Sequence, residues 1–196
     1  FSISSGDKVC IIGRNGKGKS TLLRLLAGLL QPLSGQIVTH QKTQLGYFAQ
    51  TNISSLKEQA SIVQQLAMFS DKHSEQIIRS ICATLLFSGD LANKRISLLS
   101  GGEKSRVMLG KLLVQSANLL LLDEPTNHFD MQSCDSLMSA IDAYPGTVVM
   151  VTHDEKYLRD VASKLIIFDN NRVFFFNGSY AKFLAKLGWQ ELSQSK

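Results

Sequence analysis

Cysteine is scarce in this chain of 196 residues, which has three, at Cys10, Cys82 and Cys134. They lie far apart and form no CxxC pair, so the sequence gives no sign of a disulfide framework or a zinc site. We interpret them as reduced thiols and expect a cytoplasmic protein.

Long apolar runs are also lacking. No stretch reaches the roughly 18 to 20 apolar residues that a membrane-spanning helix needs. The opening segment Phe1–Ser4 has neither the charged nor the apolar region of a signal peptide. We therefore expect a chain that does not insert into a membrane and is not exported.

Runs of basic residues are absent too, although the formal net charge is +5 and the isoelectric point is about 9.2. Lys and Arg are spread along the chain, so the charge only weakly favours nucleic acid or another polyanion as a partner. A hydrophobic content of 44% with 19% charged residues is typical of one folded domain with a buried core.

Four short apolar runs are rich in branched residues and do not alternate with polar ones, as in strands buried on both faces. They are Val9–Ile12, Leu119–Leu122, Val148–Val151 and Leu165–Phe168. Helical patterns lie between them: one ends at Gly28, one covers Met108–Leu113 and one contains Leu137 and Ile141. This alternation predicts an α/β fold with a mostly parallel central sheet.

The stretch from about 52 to 99 interrupts the alternation. It holds two helical patterns, Ile62–Phe69 and Ile77–Phe87, with no strand pattern between them. We predict a helical subdomain inserted into a single domain that covers residues 1–196. Phe1–Ser4 resembles the end of a strand whose partners would precede residue 1, so we expect a fragment of a longer chain.

The sequence from Gly13 to Ser20 fits the pattern GxxxxGK[ST] and stands between a buried strand and an amphipathic helix. Glycines let backbone N–H groups surround phosphates, Lys19 can reach the β and γ phosphates, and Ser20 can ligate Mg²⁺. The candidate ATP-binding residues here are Gly13, Arg14, Asn15, Gly16, Lys17, Gly18, Lys19, Ser20 and Thr21. A plain glycine-rich turn is the alternative.

Two adjacent carboxylates follow the apolar run at Leu119–Leu122, where the strand must leave the sheet. Asp123 suits the Mg²⁺ shell, and Glu124 suits the base that polarises the attacking water. The alternative is a pair of acidic residues that cap a helix on a solvated loop.

A second anion site is predicted at Ser100, Gly101 and Gly102, just before a helix. A simple helix cap, with Glu103 in the first turn, explains the same residues. Gln50 and His153 both follow strand patterns. Gln50 could contact Mg²⁺ or water and His153 a γ phosphate, although a lone histidine there is more often an ordinary surface residue.

Taken in order, the loop at Gly13, Gln50, the LSGGE sequence at Leu99, LLLLDEPTNHFD at Leu119 and VTHD at Val151 resemble the motif set of an ATP-binding cassette (ABC) domain. This resemblance implies Mg²⁺ and ATP as cofactors, hydrolysis with Glu124 as base and His153 as switch, and a partly present antiparallel β subdomain. It also implies head-to-tail pairing with a second cassette, whose bound ATP would be covered by Ser100, Gly101 and Gly102.

The block Glu124–Asp130 and the sequence Gly46–Gln50 resemble the soluble ABC-F proteins, and the latter resembles the second cassette of such tandem proteins. That resemblance implies a role in translation at the ribosome. Phe129, Arg14 and Lys17 depart from the common residues. Two alternatives stay open: the ATPase subunit of a membrane transporter, and a nucleotide-gated clamp with little turnover.

Overall fold

The computed structural model describes residues 1–48, 56–70, 73–115, 117–127, 131–169 and 172–186. Within these residues the chain forms six strands and seven α-helices. The strands are β1 Lys8–Gly13, β2 Leu45–Phe48, β3 Leu119–Asp123, β4 Thr147–Val151, β5 Lys164–Asp169 and β6 Arg172–Asn177. The helices are α1 Lys19–Leu26, α2 Ile62–Ala67, α3 Glu75–Thr84, α4 Gly101–Val114, α5 Met131–Ala143, α6 Glu155–Asp160 and α7 Tyr180–Lys186.

The chain divides into two compact units. The first contains Phe1–Leu45, Asn118–Pro125 and Pro145–Lys196. The second contains Gly46–Ala117 and Thr126–Tyr144.

The first unit is built on a sheet with the strand order β3-β4-β1-β5-β6. Strand β1 pairs in parallel with β4 and β5, and β3 pairs in parallel with β4, whereas β6 runs antiparallel to β5. The parallel strands are the four predicted apolar runs, and their central residues are almost fully buried. This confirms the α/β fold with a mostly parallel sheet and an antiparallel part.

Strand β6 and helices α6 and α7 have no counterpart among the predicted elements. Strand β6 lies at the edge of the sheet, and Val173 and Phe175 remain exposed on it. Helix α6 has six residues, too few to show a helical period. Phe1–Ser4 pair with no strand among the described residues, and the Phe1 ring stacks on Phe175 with 5.3 Å between the ring centroids. That they end a strand whose partners precede residue 1 stays a prediction.

The second unit is mainly helical, with α2, α3 and α4 in mutual contact and α3 against α5. Ser61 and Ser74 cap α2 and α3, each by accepting a hydrogen bond from a backbone N–H of the first turn. Two short 3₁₀ helices, Gly89–Asn93 and Ile96–Leu98, follow α3. Gly110 of α4 leaves the space that the Leu66 and Leu85 side chains fill.

Among the residues that the structure describes, none of the helices has both the length and the apolar character needed to cross a membrane.

Candidate nucleotide-binding site

The predicted phosphate loop turns from the buried strand β1 into helix α1. Gly13, at the end of β1, has φ 140°, and a Cβ atom added to it would lie 2.3 Å from the Phe168 carbonyl oxygen. Gly16 and Gly18 have φ 75° and 103°, in the left-handed region that favours glycine. Gly18 is the N-cap of α1. A glycine-rich turn of this kind at a helix N-terminus is suited to binding phosphate.

The Lys19 ammonium group is held inside the loop. Its residue is 5% exposed, and its Nζ donates to Gly13 O at 2.7 Å, Arg14 O at 3.1 Å and Asn15 Oδ1 at 3.2 Å. Burial lowers the pKa of Lys19, while the nearby Glu124 and Asp123 charges oppose that shift. A cation that has lost much of its hydration in this way gains strongly from an anionic ligand.

Ser20 and Asp123 meet across the first unit. Ser20 Oγ donates to Asp123 Oδ1 at 3.0 Å. Burial raises the pKa of Asp123, and the Glu124 charge adds to the rise, while the Ser20 hydrogen bond, Arg24 and Lys19 oppose it. The two oxygens are hard ligands of the kind Mg²⁺ prefers.

A complete protein cage for a metal is not found in the described ranges, where no group of three His, Cys, Asp or Glu side chains could hold one. Mg²⁺ in phosphate-binding sites usually takes one or two protein oxygens and fills its other positions with phosphate and water. The Ser20 and Asp123 pair therefore fits Mg²⁺ bound together with a nucleotide.

Glu124 follows Asp123 in a strained backbone conformation. Its φ is 46°, and its N–H donates to Val151 O at 3.0 Å, which holds the residue against the end of β4. Positive φ at a residue other than glycine costs about 1–3 kcal/mol and is concentrated at functional sites. The Glu124 side chain lies beside His153, with Oε1 3.6 Å from His153 Nε2.

His153 is positioned by the turn between β4 and α6. The Asp154 N–H donates to the buried Thr152 hydroxyl at 3.0 Å, and Asp154 caps α6 by accepting from Tyr157 N–H at 3.1 Å. His153 Nε2 also lies 3.1 Å from Asn15 Oδ1 in the phosphate loop. The predicted residues Asn15, Lys19, Ser20, Asp123, Glu124 and His153 thus come together in the first unit.

The side chains of the other predicted residues take no part in these contacts within the described part of the chain, although the Arg14 carbonyl oxygen accepts from Lys19. Arg14, Gly16, Lys17 and Thr21 are exposed on the loop and the start of α1. Gln50 lies outside the described residues. Ser100 is the N-cap of α4 in the second unit, where it and Glu103 form a capping box, and a Cβ added to Gly101 would meet no atom within 4 Å. Gly102 follows in the first turn of that helix.

Phe168 lies at this site but was not among the predicted site residues. It pairs with Gly13 in the β1–β5 register, and its ring lies 3.5 Å from the position a Gly18 Cβ would take. Phe168 therefore lies close to two glycines of the phosphate loop, Gly13 and Gly18. Its place at the end of a buried run was the available signal, but that signal does not distinguish it from other core residues.

A family model described as ABC transporter matches residues 1–127. The chain belongs to the ABC transporter family. The match includes the phosphate loop, the Ser100–Gly102 segment and both carboxylates at the end of β3.

Relatives within the family agree with the ABC-F resemblance. The chain is 39% identical over 184 residues to "Probable ATP-binding protein YbiT" of Escherichia coli O157:H7, covering 93% of this chain and 35% of that protein. It is 36% identical over 181 residues to ATP-binding cassette sub-family F member 3 of Mus musculus, covering 92% of this chain and 26% of that protein. The chain therefore spans about a third of the length of the curated relatives it matches.

The fold agrees with a solved structure described as a metal-chelate type ABC transporter in an inward-facing conformation. The TM-score is 0.75, with 24% identity over 99% of this chain and 80% of that one. At this identity the similarity concerns the fold alone.

Proposed function

We propose that this chain is the Mg²⁺-dependent ATP-hydrolysing cassette of an ABC-F protein. The observation that carries the proposal is the Ser20–Asp123 hydrogen bond of 3.0 Å. It brings a metal-binding hydroxyl at the start of α1 to the carboxylate at the end of β3, directly before Glu124. A glycine-rich turn with no further function would have no need of this pairing.

Each residue has a role that its surroundings support. Lys19 and the loop glycines bind phosphate, and Ser20 and Asp123 hold Mg²⁺, with Gln50 proposed as a further ligand. Bound Mg²⁺ neutralises charge that develops on the transferred phosphoryl group. Glu124 orients the attacking water as general base, and His153 donates a hydrogen bond on the same side.

We further propose that the cassette works as one of a head-to-tail pair. Ser100 and Gly101 begin a helix of 14 residues, and the space beside Gly101 is open. A helix N-terminus with small residues suits the phosphates of a nucleotide held by another cassette. Similarity to ATP-binding cassette sub-family F member 3, of which this chain covers 26%, supports a second cassette in the same chain.

The Glu124→Gln variant tests the chemistry. We expect ATP hydrolysis to fall by about 10² to 10⁴-fold while ATP binding persists, because the amide cannot accept the proton of the attacking water. Glu155→Gln is the matched control, since Glu155 is exposed on α6 and its carboxylate pairs with Arg159 at 3.3 Å. Equal hydrolysis by Glu124→Gln and the parent would refute the assignment of the base.

The ribosome is the partner we propose, with support from sub-family F similarity and the net charge of +5. The test is sedimentation of the full-length Glu124→Gln protein with purified ribosomes, with and without ATP. ATP-dependent co-sedimentation supports a role in translation. Absence of binding where ATP binding is verified would favour a transporter subunit or another soluble partner, and would leave the ATPase proposal intact.

A further inference from the structure

One oxygen of the phosphate loop is shared between two nitrogen atoms. Asn15 Oδ1 lies 3.2 Å from Lys19 Nζ and 3.1 Å from His153 Nε2. The same His153 nitrogen is 3.6 Å from Glu124 Oε1. Lys19 and His153 are far apart in sequence, so Asn15 links the phosphate loop to the segment that follows β4.

The charge of Lys19 decides which atom of the Asn15 amide faces it. An ammonium group can only donate hydrogen bonds. The amide NH₂ of Asn15 in that position would set donor against donor, so the hydrogen-bond network requires the carbonyl oxygen there. That oxygen is also the atom that faces His153 Nε2.

The same reasoning then fixes the proton on His153. A carbonyl oxygen can only accept, so His153 Nε2 must carry a hydrogen to bond with Asn15. Glu124 does not replace Asn15 in this role, because its Oε1 lies 3.6 Å from Nε2, beyond hydrogen-bond distance. In the neutral imidazole one nitrogen is a donor and the other an acceptor, which leaves Nδ1 without the proton.

We propose that Lys19 sets the tautomer of His153 through Asn15, so that neutral His153 carries its proton on Nε2 and Asn15 is a positioning residue of the site. The consequence, which rests on the proposed function, is that His153 is kept as a hydrogen-bond donor on the side of Lys19 and Glu124. A donor is what an anionic ligand at this position requires.

The ring-nitrogen chemical shifts of a histidine-labelled chain test this directly, at about pH 8.5, above the range of about pH 5 to 8 in which histidine usually titrates. His153 is assigned with the His153→Gln variant. His40 is an internal reference, because its Nδ1 accepts from the Lys42 N–H at 3.2 Å and so also requires the proton on Nε2. We expect both residues to show a protonated Nε2 and a bare Nδ1.

Three variants separate the steps of the inference. Asn15→Leu removes the acceptor, and Lys19→Met lets the Asn15 amide rotate. In each variant the chemical shifts of the two His153 ring nitrogens should move toward the averaged values of a tautomer mixture. Asn15→Asp keeps an acceptor oxygen and should retain the proton on Nε2. His40 should be unchanged in all three, and thermal melts verify that each variant is folded.

A proton on Nδ1 of His153 in the parent chain would overturn the proposal. Unchanged His153 ring-nitrogen shifts in either Asn15→Leu or Lys19→Met would also overturn it. Asn15→Asp shows whether position 15 tolerates substitution. The measurement needs no nucleotide. Its failure is therefore distinguishable from failure of the proposed ATPase function, which the Glu124→Gln rates decide.

Discussion

Ser20 Oγ and Asp123 Oδ1 lie 3.0 Å apart although 103 positions separate the two residues in the chain. Ser20 is in the first turn of α1, and Asp123 is the last residue of β3. Helix α1 contacts β3 directly, which brings the two oxygens to the same end of the sheet. The pair should therefore behave as one unit in metal binding.

A double-mutant cycle tests this coupling. Ser20→Ala and Asp123→Asn should each raise the Mg²⁺ concentration needed for half-maximal hydrolysis, because each removes one oxygen ligand or its charge. The double variant should be less impaired than the sum of the single effects, with a coupling energy of roughly 0.5–3 kcal/mol. Simple additivity would show that the two oxygens do not share a metal ion.

Asp123→Asn should also raise the melting temperature in the absence of nucleotide. Burial raises the pKa of Asp123, so its charged form is disfavoured in the folded chain and destabilises it once the pH exceeds that pKa. Asparagine removes the charge and can still accept the Ser20 hydrogen bond. The gain should therefore be present near pH 7 and disappear at acidic pH, where Asp123 is protonated in the parent.

Thermal melts of the parent and Asp123→Asn at both pH values check this expectation. Asp160→Asn on α6 is a suitable control for the loss of one acidic charge. A melting temperature that stays the same or falls near pH 7 in Asp123→Asn would contradict it.

The sequence selected six residues that the fold brings close together, but it did not contain the contacts among them. The loop, the two carboxylates and His153 follow from local patterns, because each stands where a buried strand ends. The sharing of Asn15 Oδ1 between Lys19 and His153 depends on how β1 and β4 are paired, which no local pattern contains.

The elements of the fold also differ in how well local sequence patterns predict them. Four continuous apolar runs identified the parallel strands, since burial on both faces leaves a strong signal. Strand β6 was missed because it lies at the edge of the sheet and is less buried than the parallel strands. Val173 and Phe175, for example, stay exposed. Helix α6 was missed because its six residues depend on the Asp154 cap rather than on a hydrophobic period.

Gly13→Ala should destabilise the first unit strongly. The new Cβ would lie 2.3 Å from the Phe168 carbonyl oxygen, a backbone atom that cannot move without disturbing the β1–β5 pairing, and φ at this position is 140°. We expect a loss of about 3 kcal/mol or more. Gly6→Ala is the control, because Gly6 also has positive φ but meets no atom within 4 Å, so the loss should be near 1 kcal/mol. Equal melting temperatures for the two variants would contradict the importance of the Phe168 contact.

Acid should destabilise the second unit, because protonation of Glu103 removes a stabilising charge. Burial opposes its charge, but hydrogen bonds from the Ser100 N–H and from Lys94 outweigh burial and lower the pKa of Glu103 below its ordinary value. Because the folded pKa is depressed, the stabilisation is fully present above the unfolded value and is lost as the pH falls through the folded one. Urea melts of the parent and Glu103→Gln should differ near neutral pH and converge in strong acid. A constant difference at every pH would show that the charge of Glu103 is not responsible.

Lys19→Met and Lys17→Met compare two lysines of the same loop. Lys19 is 5% exposed with its ammonium group bonded to the loop, whereas Lys17 is exposed, so solvent weakens any attraction of Lys17 to phosphate. We expect Lys19→Met to reduce ATP affinity by tenfold or more, which corresponds to about 1.4 kcal/mol or more, and Lys17→Met to reduce it much less. Titration calorimetry with ATP and Mg²⁺ measures both. If the two variants lost the same affinity, the general positive charge of the loop would account for binding, and the buried position of Lys19 would have no special role.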